Sequence, residues 1–248
     1  MTTQPAAKTV EHEPGTIPVD VRQPLKPTRA LSITHTKHGQ IIIQDLTSSL
    51  PTLFAPTTGL AIEAATKLID ATPAPPVLYT LKKENLLGTH LTATDKEGKE
   101  VAEWKNPILS FHASKVSIKF LGEEQKTVDV NPIGHDKISE SFTFNNKNYI
   151  WESEFAHHQH KHLYVIVEPT TATAVAPAES STSTPQTPSA PIHKVALEIA
   201  RYTQKHVHGH GHAGGKEGLL VLNAGEIEEV VGVLTLCAML EVRDLPEL

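Results

Sequence analysis

The sequence predicts a mainly β fold, a closed antiparallel β-barrel around one hydrophobic C-terminal α-helix. The helix is indicated by Val230–Leu240 (VVGVLTLCAML), which is apolar except for Gly232 and Thr235. A surface helix keeps a polar face, so a segment apolar on every side must be enclosed. It is too short for a bilayer, which needs about 20 apolar residues. The barrel is indicated by short strand-like segments about every 8–12 residues, a spacing typical of a closed antiparallel sheet or a sandwich.

Two segments have too few large apolar side chains to join a core. Residues 1–28 carry five prolines, and residues 168–191 (EPTTATAVAPAESSTSTPQTPSAP) are rich in Pro, Ser, Thr and Ala. Such compositions cannot offset the entropy of ordering, so we expect a disordered tail and a low-complexity linker. The remainder, 29–245, is predicted to form one domain. Within it, residues 51–76 read as an insertion, in which GLAIEAATKLID is either two or three helical turns or a loop.

The first half of the domain shows strand alternation broken by turn residues. ALSITHTKHGQIIIQDL predicts a hairpin with its turn at His38-Gly39, and we expect His35 and His38 at the surface. After the insertion, VLYTLKK, LLGTHLTATD and KEVAEW predict three strands. A tight turn at Lys96-Glu97-Gly98 separates the last two.

The second half continues the same pattern before the apolar segment. KVSIKFL, KTVDV, ISESFTF, NYIWESEF and HKHLYVIVE predict strands, and Asn145-Asn146 suits a hairpin turn with positive φ. Asn223 followed by Glu226 is typical of a helix N-cap with its capping-box partner. These signals favour a helix after GLLVLN, although the β-branched Val230–Val233 fits a buried strand.

The order of segments carries a family resemblance. A Trp151-Glu152 step, then VALEIARY, GLLVLN and the acidic-led EIEEVVGVLTLCAMLEVR resemble the tubby C-terminal-like superfamily, in particular a small fungal branch akin to the LURP-one-related proteins. LTATDKEGKEVAEW is similar to that family's strand–turn–strand unit, with Asp95 and Gly98 in matching places. The resemblance covers residues 29–167 and 192–243. It implies a twelve-stranded antiparallel barrel threaded by one helix.

The resemblance also implies a mode of binding without identifying its residues. Tubby proteins bind phosphoinositide through a basic pocket on the barrel wall, but no pair of basic residues here can be matched to that pocket. The cations available on predicted strands are ordinarily a solvated face; they are Lys82, Lys83, Lys115 and Lys119.

Histidine is the chemical anomaly, with 15 residues and two bursts, HHQHKH and HVHGHGH. Alternate residues of a strand share a face, and two imidazoles presented together can bind Zn²⁺. The candidate metal ligands are His158, His160, His162, His206, His208, His210 and His212. The opposing interpretation is an exposed tract that binds Zn²⁺, Ni²⁺ or Cu²⁺ adventitiously. No carboxylate next to either burst is an obvious second partner for the imidazoles, and no resident cofactor is expected.

Charge and motifs narrow the function classes. The formal charge of −6 excludes a global basic field, so no nucleic-acid partner is expected. The sequence lacks the G-x-S-x-G, phosphate-loop, G-x-G-x-x-G and His-Glu-x-x-His motifs, so we do not expect an enzyme.

The first residues lack the apolar stretch of a secretory signal, and no transmembrane segment is evident, which favours cytoplasm or nucleus.

Three hypotheses follow. The first is a binding or scaffold module for anionic phospholipid headgroups or a protein partner. The second is a histidine-rich metal-binding protein for Zn²⁺, Ni²⁺ or Cu²⁺. The third, which has least support, is an unrecognised hydrolase.

Overall fold

The computed structural model describes residues 23–36, 39–56, 59–84, 90–105, 115–133, 139–154, 157–167, 195–205 and 217–243. The predicted linker and residues 1–22 of the predicted tail lie outside this part of the chain. The strands in chain order are β1 (Arg29–His35), β2 (Ile41–Asp45), β3 (Phe54–Ala55), β4 (Gly59–Leu60), β5 (Val77–Lys83), β6 (His90–Asp95), β7 (Glu100–Lys105), β8 (Val116–Phe120), β9 (Lys126–Ile133), β10 (Ser139–Phe144), β11 (Lys147–Glu154), β12 (His157–Val167), β13 (Val195–Gln204) and β14 (Gly218–Leu222). The helices are α1 (Leu50–Leu53), α2 (Ile62–Ile69) and α3 (Glu229–Arg243), and a 3-10 turn spans Thr47–Ser49.

Twelve of the strands close into one antiparallel barrel, which confirms the predicted fold class. From β5 to β14 each strand pairs with its neighbour in the chain, and β2 pairs with β5. The barrel closes because β14 pairs with β1, with Leu222 opposite Arg29. Strands β3 and β4 form a separate two-stranded hairpin.

Side chains alternate between the lumen and the outside of the barrel. On β11, for example, Tyr149, Trp151 and Ser153 are buried, whereas Ile150 and Glu152 between them are partly exposed. Alternation of this kind is the period-2 pattern of a strand with one face on a core. The sequence pattern therefore sets the inward and outward faces.

Helix α3 fills the lumen, as the apolar segment predicts. Residues 231–240 are buried on every side of the helix, within the same core as the inward-facing strand residues. The Thr235 side chain, which is polar, is hydrogen-bonded within the core. Its hydroxyl donates to the Val231 carbonyl at 2.8 Å and accepts from the Trp151 indole at 3.1 Å. The predicted N-cap is wrong, since the Asn223 side chain caps a turn at Gly225 and α3 begins later, at Glu229.

The two ends of the barrel are distinguished by the ends of this helix. At the entry end, where α3 begins, Glu229 pairs with Arg29. At the exit end, where α3 finishes, the buried Glu241 carboxylate lies 2.9 Å from Lys83 Nζ and 3.4 Å from His35 Nε2. The surface position expected for His35 is wrong, because the alternation of β1 continues to its last residue and turns this ring into the barrel.

The insertion after β2 covers one part of the outer wall. It contains α1, the β3–β4 hairpin and α2, which settles the earlier ambiguity in favour of a helix at Ile62–Ile69. On β14, Leu220 and Leu222 face the lumen core, whereas Leu219 and Val221 pack under the insertion. The unbroken apolar run of β14 follows from burial on both faces.

The residues just before β1 also take part in this outer layer. Leu25 is buried in the cluster beneath the insertion, and the Thr28 backbone donates to the Leu222 carbonyl at 2.9 Å. Among the described residues, no helix has both the length and the apolar composition required to cross a bilayer.

Candidate functional site

A cleft of about 490 Å³ opens at the entry end, between the first turn of α3 and the turns that join neighbouring strands. Its floor is mostly apolar and is supplied by strand ends and the helix; it consists of Val101, Phe120, Leu121, Phe144, Val230 and Val231. Because α3 occupies the lumen, this cleft lies outside the filled interior. A volume in this range is typical of a small ligand site.

The turns that border the cleft are set by local sequence. After β6, the Asp95 carboxylate accepts the backbone N–H groups of Glu97 and Lys99 at 2.9 and 3.0 Å, and Gly98 takes φ +80°. After β10, Asn145 and Asn146 both take positive φ, as predicted. Asn and Gly tolerate this conformation better than other residues. The turn after β6 places Asp95 and Lys99 at the mouth of the cleft.

The rim of the cleft carries more negative than positive charge. Its five carboxylates and two ammonium groups give a net formal charge of −3; they are Asp95, Glu100, Glu123, Glu124 and Glu228, with Lys99 and Lys126. Lys126 lies 3.8 Å from Glu124 and 5.5 Å above the Phe144 ring. Glu100 and Glu123 have no ion-pair partner within the described ranges, so their charges face solvent over the apolar floor.

A cluster of ionised and phenolic groups fixes the first turn of α3 next to the cleft. The Glu229 carboxylate is bonded to the Arg29 guanidinium, which also lies 3.3 Å from the Asp45 carboxylate. Tyr79, a lining residue, donates its hydroxyl to Glu229 at 3.2 Å. Burial, together with the charge of Glu229, raises the pKa of Tyr79 to about 12. Tyr79 therefore stays protonated and donates at neutral pH.

The lysines considered for anionic lipid are largely neutralised. Lys83 pairs with Glu241 at the exit end, Lys115 lies 2.7 Å from Asp129, and Lys119 lies 3.4 Å from Glu103. Lys82, by contrast, has no ion-pair partner among the residues that the structure covers. These four residues do not form one basic pocket, since three of them are balanced by carboxylates.

Two of the predicted metal ligands, His160 and His162, lie on the outer face of β12. The intervening Lys161 is buried and donates to Ser153 at 3.1 Å on the inner face. His160 Nδ1 lies 2.8 Å from the Thr203 hydroxyl, and His162 Nδ1 lies 2.8 Å from Glu198. The side chain of His158 lies outside the described residues, as do His206, His208, His210 and His212.

Glu198 is held firmly under His162. Arg201 donates to it through Nε and Nη2, each at 2.8 Å. Burial acts to raise the pKa of Glu198, but the hydrogen bonds from His162 and Arg201 outweigh it and hold the pKa below its ordinary value. Sequence reasoning missed this partner because Glu198 belongs to β13, on the far side of the long linker. The available signal for its outward face was its charge within the otherwise apolar VALEIA.

Within the described ranges, no group of three or more His, Cys, Asp or Glu side chains is placed to hold a metal ion. Cys237 is buried in α3. The expectations that the protein is not an enzyme and has no resident cofactor stay predictions.

Comparisons with known proteins add little to these sites. Neither the models of known protein families nor the curated proteins give a match. An X-ray structure of a protein from Arabidopsis thaliana is similar over 90% of this chain and 97% of its own, at 10% identity and a TM-score of 0.43.

Proposed function

We propose that the protein is a non-catalytic binding module of the tubby-like kind, which holds a positively charged, partly apolar segment of a partner protein in the entry-end cleft. The observation that carries the proposal is an apolar floor bordered by surplus carboxylates. The tubby-like part is supported by the closed barrel of twelve strands with a hydrophobic helix in its lumen.

The filled lumen favours binding at an end of the barrel. Residues 231–240 of α3 are buried against the inner strand faces, so a ligand that entered would have to displace core side chains. The entry-end cleft requires no such displacement. Its floor can take one or two apolar side chains, and burial of apolar area supplies most of the free energy of such contacts.

The rim determines the charge of the partner. A net −3 around the mouth attracts cationic groups, and attraction between exposed charges acts over about 10 Å at 0.1 M salt. The same field repels phosphate headgroups. Because Lys83, Lys115 and Lys119 are already paired with carboxylates, the protein alternative of the first hypothesis is favoured over anionic lipid.

The test uses a fluorescent peptide in which Lys and Leu alternate, with a matched peptide that has Glu in place of Lys. We expect the Lys peptide to bind more tightly than the Glu peptide, and we expect its affinity to fall as the salt concentration rises. The double variant Glu100→Gln/Glu123→Gln should weaken it about fivefold, since an exposed charge pair contributes roughly 0.2–1 kcal/mol. The floor variant Val101→Thr should weaken binding without changing the salt dependence.

The matched control is Glu63→Gln/Asp70→Asn, which removes two exposed charges from α2 and its end, in the insertion on the outer wall. This control should bind the Lys peptide as the wild type does. Equal affinities for the cleft variant and the wild type would contradict the proposal. Co-sedimentation with phosphatidylserine vesicles at low salt would instead favour the lipid alternative.

A further inference from the structure

We infer that His160 and His162 form a binding site for one divalent transition-metal ion, of the Zn²⁺, Ni²⁺ or Cu²⁺ class, on the outer wall of the barrel. This inference is independent of the entry-end cleft. It rests on the pairing of β12 with β13, which brings a hydrogen-bonding partner to each ring.

The spacing of the two residues suits a shared ion. His160 and His162 are alternate residues of β12, with Lys161 buried between them. Residues two apart in a strand project to the same face and lie about 6.6 Å apart along it. Imidazole rings at this separation can converge on one ion, since nitrogen ligands bind Zn²⁺ at about 2.0–2.1 Å.

The contacts across to β13 orient both rings through the same nitrogen. Nδ1 of His160 contacts the Thr203 hydroxyl and Nδ1 of His162 contacts the Glu198 carboxylate, each at 2.8 Å. With Nδ1 engaged in this way, Nε2 is the nitrogen through which each ring would bind a metal. Histidine ligands in metalloproteins ordinarily donate their other ring N–H to a carboxylate or carbonyl, which fixes the ring and makes the ligating nitrogen more basic.

The Glu198 carboxylate is largely buried and fixed in orientation, as the partner of a metal ligand should be. Only 15% of its side chain is exposed, and the bidentate contact with Arg201 holds both carboxylate oxygens. Arg201 in turn lies beside the Phe54 ring of the insertion, at 5.8 Å. The carboxylate therefore cannot rotate freely, and His162 keeps one orientation.

The site is accessible to solvent in part. The His162 side chain is 21% exposed, so solvent reaches the ring. Two imidazoles leave the remaining positions of a four-coordinate ion to water. Imidazole suits Zn²⁺, Ni²⁺ and Cu²⁺, and for a given nitrogen site Cu²⁺ binds most tightly of the three.

The experiment separates this site from the histidines of the second burst. In a background with alanine at His206, His208, His210 and His212, calorimetry with Zn²⁺ should show one equivalent bound. Adding His160→Asn/His162→Asn removes both ligands, so it should weaken binding at least as much as the loss of a supporting partner, which costs about tenfold to a hundredfold. Cu²⁺ bound to the background protein should show two nitrogen ligands in its electron paramagnetic resonance spectrum.

Variants of the two residues that contact Nδ1 of the rings, and a variant of a histidine elsewhere, complete the test. Glu198→Gln should weaken Zn²⁺ binding about tenfold to a hundredfold. If that variant fails to fold because Arg201 loses its partner, Thr203→Val tests the same dependence through His160. His90→Asn, on β6 beside Glu103, should leave Zn²⁺ affinity unchanged.

The inference is overturned if the background protein and its His160→Asn/His162→Asn variant bind Zn²⁺ equally. It is also overturned if all binding disappears with the four substitutions at positions 206–212.

Discussion

At the scale of single residues, Tyr79 links strand β5 of the barrel wall to the first turn of α3. Its hydroxyl donates to Glu229, the first residue of α3, and Arg29 reaches the same carboxylate from β1. A carboxylate in the first helical turn is favoured by the helix dipole, so three contributions fix the helix at the entry end. Tyr79 also lines the cleft, which means that the cleft and the helix anchor share one side chain.

The raised pKa of Tyr79 predicts a dependence on alkaline pH. The folded pKa of about 12 exceeds the ordinary value of 10.0, so the contribution of Tyr79 is fully present below pH 10 and is lost as pH rises through about 12. We expect the wild type to be more stable than Tyr79→Phe at pH 8, and the difference to shrink between pH 10 and 12. Urea unfolding at each pH measures it. A constant difference across that range would contradict the assignment.

At the scale of elements, strands and helix were predictable wherever burial follows a simple period. KEVAEW and KVSIKFL alternate, and each is a strand with one face on the core. The apolar segment before the C-terminus is α3, since only complete enclosure suits it. The entry-end cleft was not predictable, because its walls come from turns far apart in sequence. The Glu198 contact was missed for the same reason.

Two glycines in this framework predict opposite effects of alanine. A Cβ on Gly218 would lie 2.5 Å from the Thr203 carbonyl and from the buried Tyr202 ring, whereas a Cβ on Gly232 of α3 would meet nothing nearer than 3.6 Å. Gly218→Ala should therefore destabilise the protein by about 1–3 kcal/mol. Gly232→Ala should be neutral or stabilise it by up to about 1 kcal/mol, because alanine is the better helix former.

Chemical denaturation of these two variants measures both effects, and each variant is the control for the other. Equal stabilities would show that the close approach at Gly218 is relieved by a shift of β13.

At the scale of the whole molecule, the barrel depends on its strand pairing rather than on its longest connection. Val167 and Val195 lie opposite each other in the ladder of β12 and β13, so the two strands are already adjacent where the linker leaves and returns. The composition of the linker predicts that it contributes nothing to the core. Because Val167 and Val195 are adjacent, the six residues that remain when 170–190 are removed are enough to join the two strands.

Deleting residues 170–190 should therefore leave the melting temperature within about 2 °C of the wild type, since the strand ladder and the lumen core are untouched. Circular dichroism at increasing temperature measures this. A large loss of stability would mean that the deleted residues pack against the barrel.

The pairing of β14 with β1 also governs when the protein can fold during its synthesis. The ribosome releases β1 before the other strands of the barrel, whereas its partner β14 and the lumen-filling helix emerge only after all of them. Until then the inward faces of the other strands have nothing to cover them, and long-range pairing of this kind is slow. Nascent chains of this protein should therefore be clients of ribosome-associated chaperones until β14 and α3 have emerged.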